Sequence, residues 1–174
     1  AEVTTGDLRS VPDGVASLVD KSLVELSDVR SSMTYSLLES VRAYSLERLT
    51  SAGDLGAWQQ RHAEFTVEFA ARADAAIRGP EEPEWRRRID DHLGDLRAAR
   101  AWLLAHGDID GLLRLCAGLD SYAEFRTRSE PHRWAEDAVG RATTGRPHHR
   151  DLAKVCALAA SGASKRGELD VAER

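Results

Sequence analysis

The chain has 174 residues, 42% of them hydrophobic, which is enough apolar material for the core of one domain or of two small ones. Its formal net charge is −5 with 30% charged residues of both signs, a balance that disfavours binding to nucleic acid and to acidic membranes. The sequence shows neither a membrane-spanning apolar run nor an N-terminal secretion signal, so we expect a cytoplasmic protein.

Helix, hairpin and helix are predicted in that order for the first third of the chain. The segment SVPDGVASLVDKS, with Ser10 as N-cap and apolar residues at helical spacing, predicts a helix that ends near Lys21. SLVEL and TYSLL alternate as strands do, and the polar SDVRSS between them predicts a hairpin with a loose tip. From Glu39 the period is helical up to a break at Gly53. This order is typical of the C-terminal part of a winged-helix domain, which we assign to residues 1–52.

Only helices are predicted for residues 53–174. Apolar residues at helical spacing indicate five of them, carried by Phe65–Ile77, Ile89–Leu103, Ile109–Ala123, Trp134–Val139 and Leu152–Ala163. Gly107 and Gly167, each followed by an acidic residue, are typical of the turn inside a helical hairpin. The predicted fold class is therefore all-α: a tetratricopeptide-like (TPR-like) array of helical hairpins, truncated at its C-terminus and preceded by the end of a winged-helix unit with one small β-hairpin.

No catalytic, cofactor-binding or metal-binding residue is predicted, and we expect the chain not to be an enzyme. Cys116 and Cys156 both lie in apolar helical patterns and are interpreted as small buried residues. No His or Cys spacing is typical of a zinc site. The carboxylate pairs, at Glu81–Glu82 and Asp90–Asp91, are near helix starts, where acidic side chains favour the helix dipole.

One candidate binding surface is aromatic. Tyr122, Phe125 and Trp134, with Arg126 and with Trp102 from another helix, can line a groove for a protein or small-molecule effector. Aromatic residues at helical spacing are more often core residues, and this alternative stays open at this point.

A second candidate surface is basic. The run WRRRIDDH places three arginines beside Trp85, an arrangement that can hold an anion: Arg86, Arg87 and Arg88. The alternative is a solvated helix face on which the arginines form ion pairs with Asp90 and Asp91.

Several segments together resemble a known family. In order and spacing, LVDKSLV, LLESVRAYSLERL, RHAEF and DLRAARAWLLAHGD resemble the region that follows the ATPase core in large bacterial signal-transduction ATPase regulators. These are the LuxR-type and antibiotic-regulator-type transcriptional regulators related to NB-ARC ATPases. The resemblance runs from about Val11 to Val139. It departs at Gly94–Asp95, where the family usually has Asp-Asn, and at Arg100, where Leu is common.

The resemblance implies a non-catalytic segment that couples an upstream nucleotide switch to signal or partner binding. It implies a winged-helix rim that contacts the nucleotide-binding core, followed by a helical sensor arm that ATP switches between closed and open assemblies. The sequence contains no P-loop pattern GxxxxGK[ST], so ATP is expected in an upstream domain and no cofactor in this segment.

The expected partners are the upstream ATPase domain of the same chain and a protein or small-molecule effector on the helical array. Direct DNA binding is not expected, because the segment PDGVASLVDK has one Lys and two Asp. The one methionine, Met33, and the final segment GELDVAER lead us to expect a piece of a longer protein. The alternative function is a free-standing helical scaffold that binds a peptide or protein.

Overall fold

The computed structural model describes residues 10–29, 32–125, 129–142 and 150–168, and within these ranges it contains nine helices and one two-stranded antiparallel sheet. In chain order these are α1 (Ser10–Asp20), β1 (Val24–Val29), β2 (Ser32–Leu37), α2 (Glu39–Ala52), α3 (Leu55–Ala76), α4 (Glu82–Asp91), α5 (Leu93–Ala105), α6 (Ile109–Ala117), α7 (Asp120–Phe125), α8 (Glu130–Ala142) and α9 (Leu152–Lys165). The prediction of a helical array with one small hairpin is confirmed.

The chain forms two compact units, Ala1–Gly56 and Ala57–Arg174. The domain boundary predicted from the sequence lies four residues earlier, between residues 52 and 53. The assignment of the first part to a winged-helix domain and of the second to TPR-like repeats stays a prediction.

In the first unit, α1 ends in a Schellman turn that leads directly into β1. The Ser22 N–H donates to the Val19 carbonyl at 2.8 Å, and the Leu23 N–H donates to the Leu18 carbonyl at 2.9 Å. Ser22 has φ 56°, a left-handed conformation that is more favourable for glycine. α2 ends in the same way at Gly53, with φ 77°, as the sequence predicts.

The hairpin is longer than predicted. Its register runs from Val24 opposite Leu37 to Val29 opposite Ser32, so most of the SDVRSS segment belongs to the strands. The prediction of a loose six-residue tip is wrong. Backbone groups of polar residues pair across an antiparallel ladder as well as those of apolar residues do, which is why side-chain polarity misplaced the strand ends.

The second unit is built around one hydrophobic core. Its largest fully buried side chains come from five of its helices and their flanking turns: Ile77, Ile89, Leu96, Leu112, Leu113, Leu115, Cys116, Leu119, Tyr122 and Val155. Two glycines allow close packing between elements. A Cβ on Gly118 would lie 2.6 Å from the Ala70 carbonyl carbon of α3, and a Cβ on Gly162 would lie 2.5 Å from the His132 Cβ.

The helix predicted over Ile89–Leu103 is two helices, α4 and α5, with His92 between them (φ −96°, ψ 12°). The His92 ring packs edge-on against Phe69 with centroids 4.9 Å apart, and its Nδ1 lies 2.9 Å from Asp95 Oδ2. In the same way, the helix predicted over Ile109–Ala123 is interrupted at Gly118. Apolar spacing continues across both breaks, so periodicity alone did not reveal them.

The apolar recurrence that predicted α3 is buried at three of its four positions. Phe69, Ala73 and Ile77 are buried, and Phe65 is exposed. The buried positions are Ala63, Thr66, Val67, Phe69, Ala70 and Ala73. Small side chains dominate this face because α3 packs closely against Gly118.

Candidate functional site

A groove of about 340 Å³ lies between α3, α5 and α6 of the second unit. Such a volume is at the lower end of the range for small-molecule sites. Its lining residues are Gln60, Glu64, Val67, Glu68, Trp102, Leu103, Asp108, Gly111 and Arg114. The sequence had named one of them, Trp102, as a candidate groove residue.

The turn between α5 and α6 forms one wall of the groove. Gly107 has φ 65° and ends α5, and the Asp108 side chain caps α6 by accepting a hydrogen bond from the Gly111 N–H at 2.8 Å. A Cβ on Gly111 would lie 2.5 Å from Leu103 Cδ2 and 2.6 Å from Asp108 Oδ2. Glycine at position 111 therefore allows α6 to approach α5 closely at this wall.

The lining carries three carboxylates and one guanidinium. Glu64 accepts a hydrogen bond from Gln60 Nε2 at 2.9 Å, while Glu68 and Arg114 form no ion pair with any residue of the described ranges. The lining is net negative, so the groove favours a ligand that carries a cationic group. The Arg114 guanidinium can donate a hydrogen bond to an acceptor atom of the same ligand.

Trp102 is the aromatic side chain of the groove. Its ring stacks on the His106 ring with centroids 4.2 Å apart and an interplanar angle of 18°. One face of the indole is therefore covered by His106, the ring also packs against the core, and only the part that borders the groove can meet a ligand. The indole Nε1 is buried and finds no acceptor among the described residues. Carboxylates beside an aromatic ring can bind an amphipathic cation.

A second polar cluster joins α3, α7 and α9. Asp74 accepts hydrogen bonds from Lys154 Nζ at 2.6 Å and from the Ser121 backbone N–H at 3.2 Å. Arg78 donates to the Ser121 hydroxyl at 2.8 Å and lies 3.7 Å from Asp120 Oδ2. These contacts tie three helices together, so we assign this cluster to stability.

Two carboxyl groups of this cluster have opposite pKa shifts. Burial alone raises the pKa of Asp74, but the hydrogen bonds from Lys154 and Ser121 outweigh burial and lower this pKa below its usual value. Burial and the neighbouring Asp74 charge raise the pKa of Asp120 although Lys154 and Arg78 oppose this rise. Asp74 is therefore the main anionic partner of Lys154.

The predicted aromatic groove is divided between core and surface. Tyr122 is fully buried and its hydroxyl donates to Asp90 Oδ1 at 2.6 Å, and Trp134 also belongs to the core. Phe125 is exposed, while Arg126 lies outside the described residues. Tyr122 and Trp134 therefore agree with the alternative interpretation, in which aromatic residues at helical spacing belong to the hydrophobic core.

Arg100, where the sequence departs from the family pattern, contacts Trp134. Its guanidinium carbon lies 5.5 Å from the Trp134 ring centroid, and its NH2 group donates to Asp137 Oδ2 of α8 at 2.7 Å. An arginine at this position therefore packs α5 against α8 through an ion pair and a cation–π contact.

The three arginines of the basic run have different surroundings. Arg86 pairs with Glu82 and Arg88 with Glu84, each at 2.9 Å and at i, i+4 spacing. The alternative had named Asp90 and Asp91, which follow, as the partners; the observed partners are the preceding glutamates, because an acid four residues before its base has the more favourable orientation on a helix. Arg87 forms no ion pair within the described ranges.

The basic run also meets the aromatic candidates. The Arg86 guanidinium carbon lies 5.9 Å from the Phe125 ring centroid, and Arg88 lies 4.9 Å from that of Trp85. Whether this surface binds an anion stays a prediction.

The two cysteines differ in environment. Cys116 is buried, and burial raises its pKa to about 12. Cys156 is exposed, so the prediction that both are buried is wrong for Cys156. Val155 and Cys156 are neighbours in the apolar pattern of α9, and only Val155 is buried.

Neither a metal-binding cluster nor a membrane-spanning helix occurs in the described ranges. Among these residues, no group of three or more His, Cys, Asp or Glu side chains is arranged to hold a metal ion, and His148 and His149 lie outside them. No described helix is both long and apolar enough to cross a bilayer.

Sequence reasoning missed most of the groove. Glu64, Glu68 and Arg114 lie at positions that read as ordinary solvated helix faces. The sequence signals that could have indicated it are the Gly107–Asp108 turn and the charged Arg114 within the apolar run LLRLCA.

Part of the chain is similar to proteins named as regulators of transcription. Over 116 residues the chain is 35% identical to "Putative HTH-type transcriptional regulator Rv0890c" of Mycobacterium tuberculosis and to "Putative HTH-type transcriptional regulator Mb0914c" of Mycobacterium bovis. The match covers 65% of this chain and spans only 13% of each relative. No protein-family model and no solved structure matches the chain. The names of these relatives agree with a regulatory role.

Proposed function

We propose that this chain is the non-catalytic coupling and sensor segment of an ATP-dependent transcriptional regulator of the LuxR or antibiotic-regulator type. In this proposal the first unit docks on an upstream nucleotide-binding domain of the same polypeptide, and the second unit binds the effector. ATP is bound upstream, and the segment itself catalyses nothing and contacts neither DNA nor membrane. Similarity to transcriptional regulators of which this chain spans 13% supports a segment role within a larger protein, for which we propose a cytoplasmic location.

The observation that carries the proposal is the exposure of apolar side chains in the first unit. Within its described residues, α2 buries none of its side chains. The large apolar residues of this unit that are at least 40% exposed are Leu18, Leu26, Tyr35, Leu37, Leu38, Tyr44 and Leu46. Single exposed leucines are ordinary, but this density is typical of a surface that another protein or domain covers.

The hairpin concentrates three of these residues on one face. Leu26 lies opposite Tyr35 in the register, and Leu37 follows Tyr35 by two positions. Opposed residues and residues two apart point to the same side of a sheet, so all three share one face. A two-stranded hairpin is marginal by itself, which makes docking on a larger domain the stabilising arrangement.

The test is binding between this chain and the separately produced upstream nucleotide-binding domain of its natural gene, loaded with ADP or with a non-hydrolysable ATP analogue. We expect the binding to depend on which nucleotide is bound. Leu37→Ser should weaken this binding by about tenfold, since the leucine side chain would be buried in the complex and serine lacks its apolar surface. Ser36→Asn on the opposite face is the matched control and should bind as the wild type does. Equal binding of the Leu37→Ser and wild-type chains, or none with either nucleotide, refutes docking through this face.

The groove favours a second candidate, a free-standing scaffold that binds a peptide. Its acidic lining suits a basic peptide, so a lysine-rich probe is appropriate. Affinity for this probe in the absence of any ATPase domain, lost on Glu68→Gln, together with no binding to the upstream domain, would favour the scaffold.

Direct DNA binding is the third function to test. It predicts affinity that falls steeply with salt. We expect no mobility shift of duplex DNA at low salt, and a salt-sensitive shift would contradict this part of the proposal.

A further inference from the structure

One face of α3 carries a row of aromatic and charged residues that point away from the core. The row consists of Trp58, Arg61, Phe65, Glu68 and Arg72, with spacings of three, four, three and four residues. This is the spacing of the contact face of a helix that pairs lengthwise with another helix. Phe65 is 59% exposed and Trp58 is 42% exposed. We name these five residues the α3 row.

The arginines of the α3 row stack on its aromatic rings. The Arg61 guanidinium carbon lies 5.2 Å from the Trp58 ring centroid, and that of Arg72 lies 5.9 Å from the Phe65 centroid. Glu68 and Arg72 have i, i+4 spacing, yet they form no ion pair with each other. Exposed aromatic rings beside arginines match the composition of residues that dominate binding at protein interfaces.

The charges of the α3 row lack ionic partners within the described ranges. Arg61, Glu68 and Arg72 form no ion pair there, whereas Arg86 and Arg88 on α4 pair with glutamates one turn away. The row therefore presents two positive charges and one negative charge to a binding partner.

We propose that the α3 row packs against the α3 row of a second copy of this chain, in antiparallel orientation about a two-fold axis at Phe65. In this orientation Trp58 lies opposite Arg72 of the second copy, because the two residues are equally distant from Phe65 in the sequence. Arg61 faces Glu68 of the second copy with an offset of one residue, about 1.5 Å along the helix. The two Phe65 rings meet at the axis.

The charge pattern selects this orientation. A parallel pair of the same rows places Arg61, Glu68 and Arg72 each beside its own copy, which repels at three positions. The antiparallel pair replaces these contacts by two Arg–Glu pairs and two guanidinium–indole contacts, and an isologous interface needs such self-complementarity.

The expected dimer is weak. The row spans fourteen residues, about 21 Å of helix, so a single helix pair forms the interface. Interfaces of this size belong to the transient class, and we expect a dissociation constant on the order of 100 μM.

The proposal is tested by sedimentation equilibrium of the 174-residue chain up to about 1 mM, which is tenfold above the expected dissociation constant. We expect a monomer–dimer equilibrium that Phe65→Ser weakens by at least about tenfold. Arg61→Glu alone and Glu68→Arg alone should each weaken dimerisation. The double variant Arg61→Glu/Glu68→Arg should restore it, because the Arg–Glu pairs are re-formed in reverse.

Two controls separate this surface from others. Glu84→Arg changes an exposed charge on α4 and should leave dimerisation unchanged, as should Tyr44→Ser in the first unit. A chain that stays monomeric at about 1 mM overturns the proposal. So does a dimer that Tyr44→Ser abolishes, or one in which the double variant associates no better than the single variants.

Discussion

Replacing Gly118 with alanine tests the closest approach between α3 and the end of α6. Gly118 has φ −70° and ψ −12°, values that alanine also adopts, so the substitution introduces a steric change without backbone strain. The added Cβ would lie 2.6 Å from the Ala70 carbonyl carbon and 2.8 Å from the Ala70 Cβ. Because Ala70 is buried within α3, the backbone of one element must shift by about 1 Å to restore ordinary contact distances.

Overpacking of this kind destabilises a protein by about 1–3 kcal/mol, and the lower entropy of the unfolded alanine chain offsets about 0.5–1 kcal/mol of it. We therefore expect Gly118→Ala to lower the free energy of unfolding by about 1–2 kcal/mol, a large part of the stability of a small domain. The matched control is Gly94→Ala, since a Cβ on Gly94 meets nothing within 4 Å. Helix propensity should make this control more stable by about 0.5–1 kcal/mol.

Urea unfolding followed by tryptophan fluorescence measures both effects. All four tryptophans lie in the second unit, at positions 58, 85, 102 and 134, so the signal reports on the unit that contains both glycines. With ordinary slopes, the Gly118→Ala midpoint should fall by about 1 M urea. An unchanged midpoint with an unchanged slope would refute the reasoning, because it would mean that the packing around Ala70 absorbs a methyl group freely.

Three further predictions follow from local features. Ser22→Gly should stabilise the first unit by about 1 kcal/mol, because it relieves the left-handed conformation, and slower hydrogen exchange of the Leu23 amide would show this. An aromatic disulfide reagent that reacts with thiols at pH 8 should modify the exposed Cys156 within minutes and Cys116 only after denaturation, since Cys116 is buried and burial raises its pKa to about 12. Rapid modification of both in the folded protein would contradict this. The pKa of Asp74 is lower in the folded protein than its value of 3.8 in the unfolded chain. The ionised carboxylate therefore stabilises the fold fully when the pH is well above 3.8, and this stabilisation is lost as the pH falls below 3.8 towards the lower pKa of the folded state. Asp74→Asn should cost about 2 kcal/mol at pH 7 and flatten the acid limb of the stability curve, and an unchanged acid limb would show that Asp74 does not carry it.

The parts of the fold that the sequence predicted are those set by local rules. The break at Gly53 and the turn at Gly107 are predictable because glycine tolerates the positive φ that ends a helix. The number of helices was underestimated, because His92 and Gly118 interrupt helices without interrupting the apolar spacing. Such breaks depend on tertiary contacts, here the packing of His92 on Phe69.

The groove was less predictable than the fold. Two of its carboxylates come from α3, the third from the turn before α6 and its arginine from α6, and only tertiary packing brings them to the same groove as Trp102. For the aromatic residues the sequence left two alternatives, a groove lining or core residues, and the structure places Tyr122 and Trp134 in the core. Sequence periodicity assigns a face of a helix but not the element that this face meets.

The ion pair between Lys154 and Asp74 joins residues that are 80 positions apart. Closing a chain segment of this length has an entropic cost of several kcal/mol, so the contact forms only after the intervening helices have brought its ends together. The contact therefore fastens α9, which packs mainly against α8, back onto α3. During synthesis on the ribosome, Asp74 has Arg78, one turn away at 3.4 Å, as a cationic partner from the start, and it gains Lys154 only after α9 has been made.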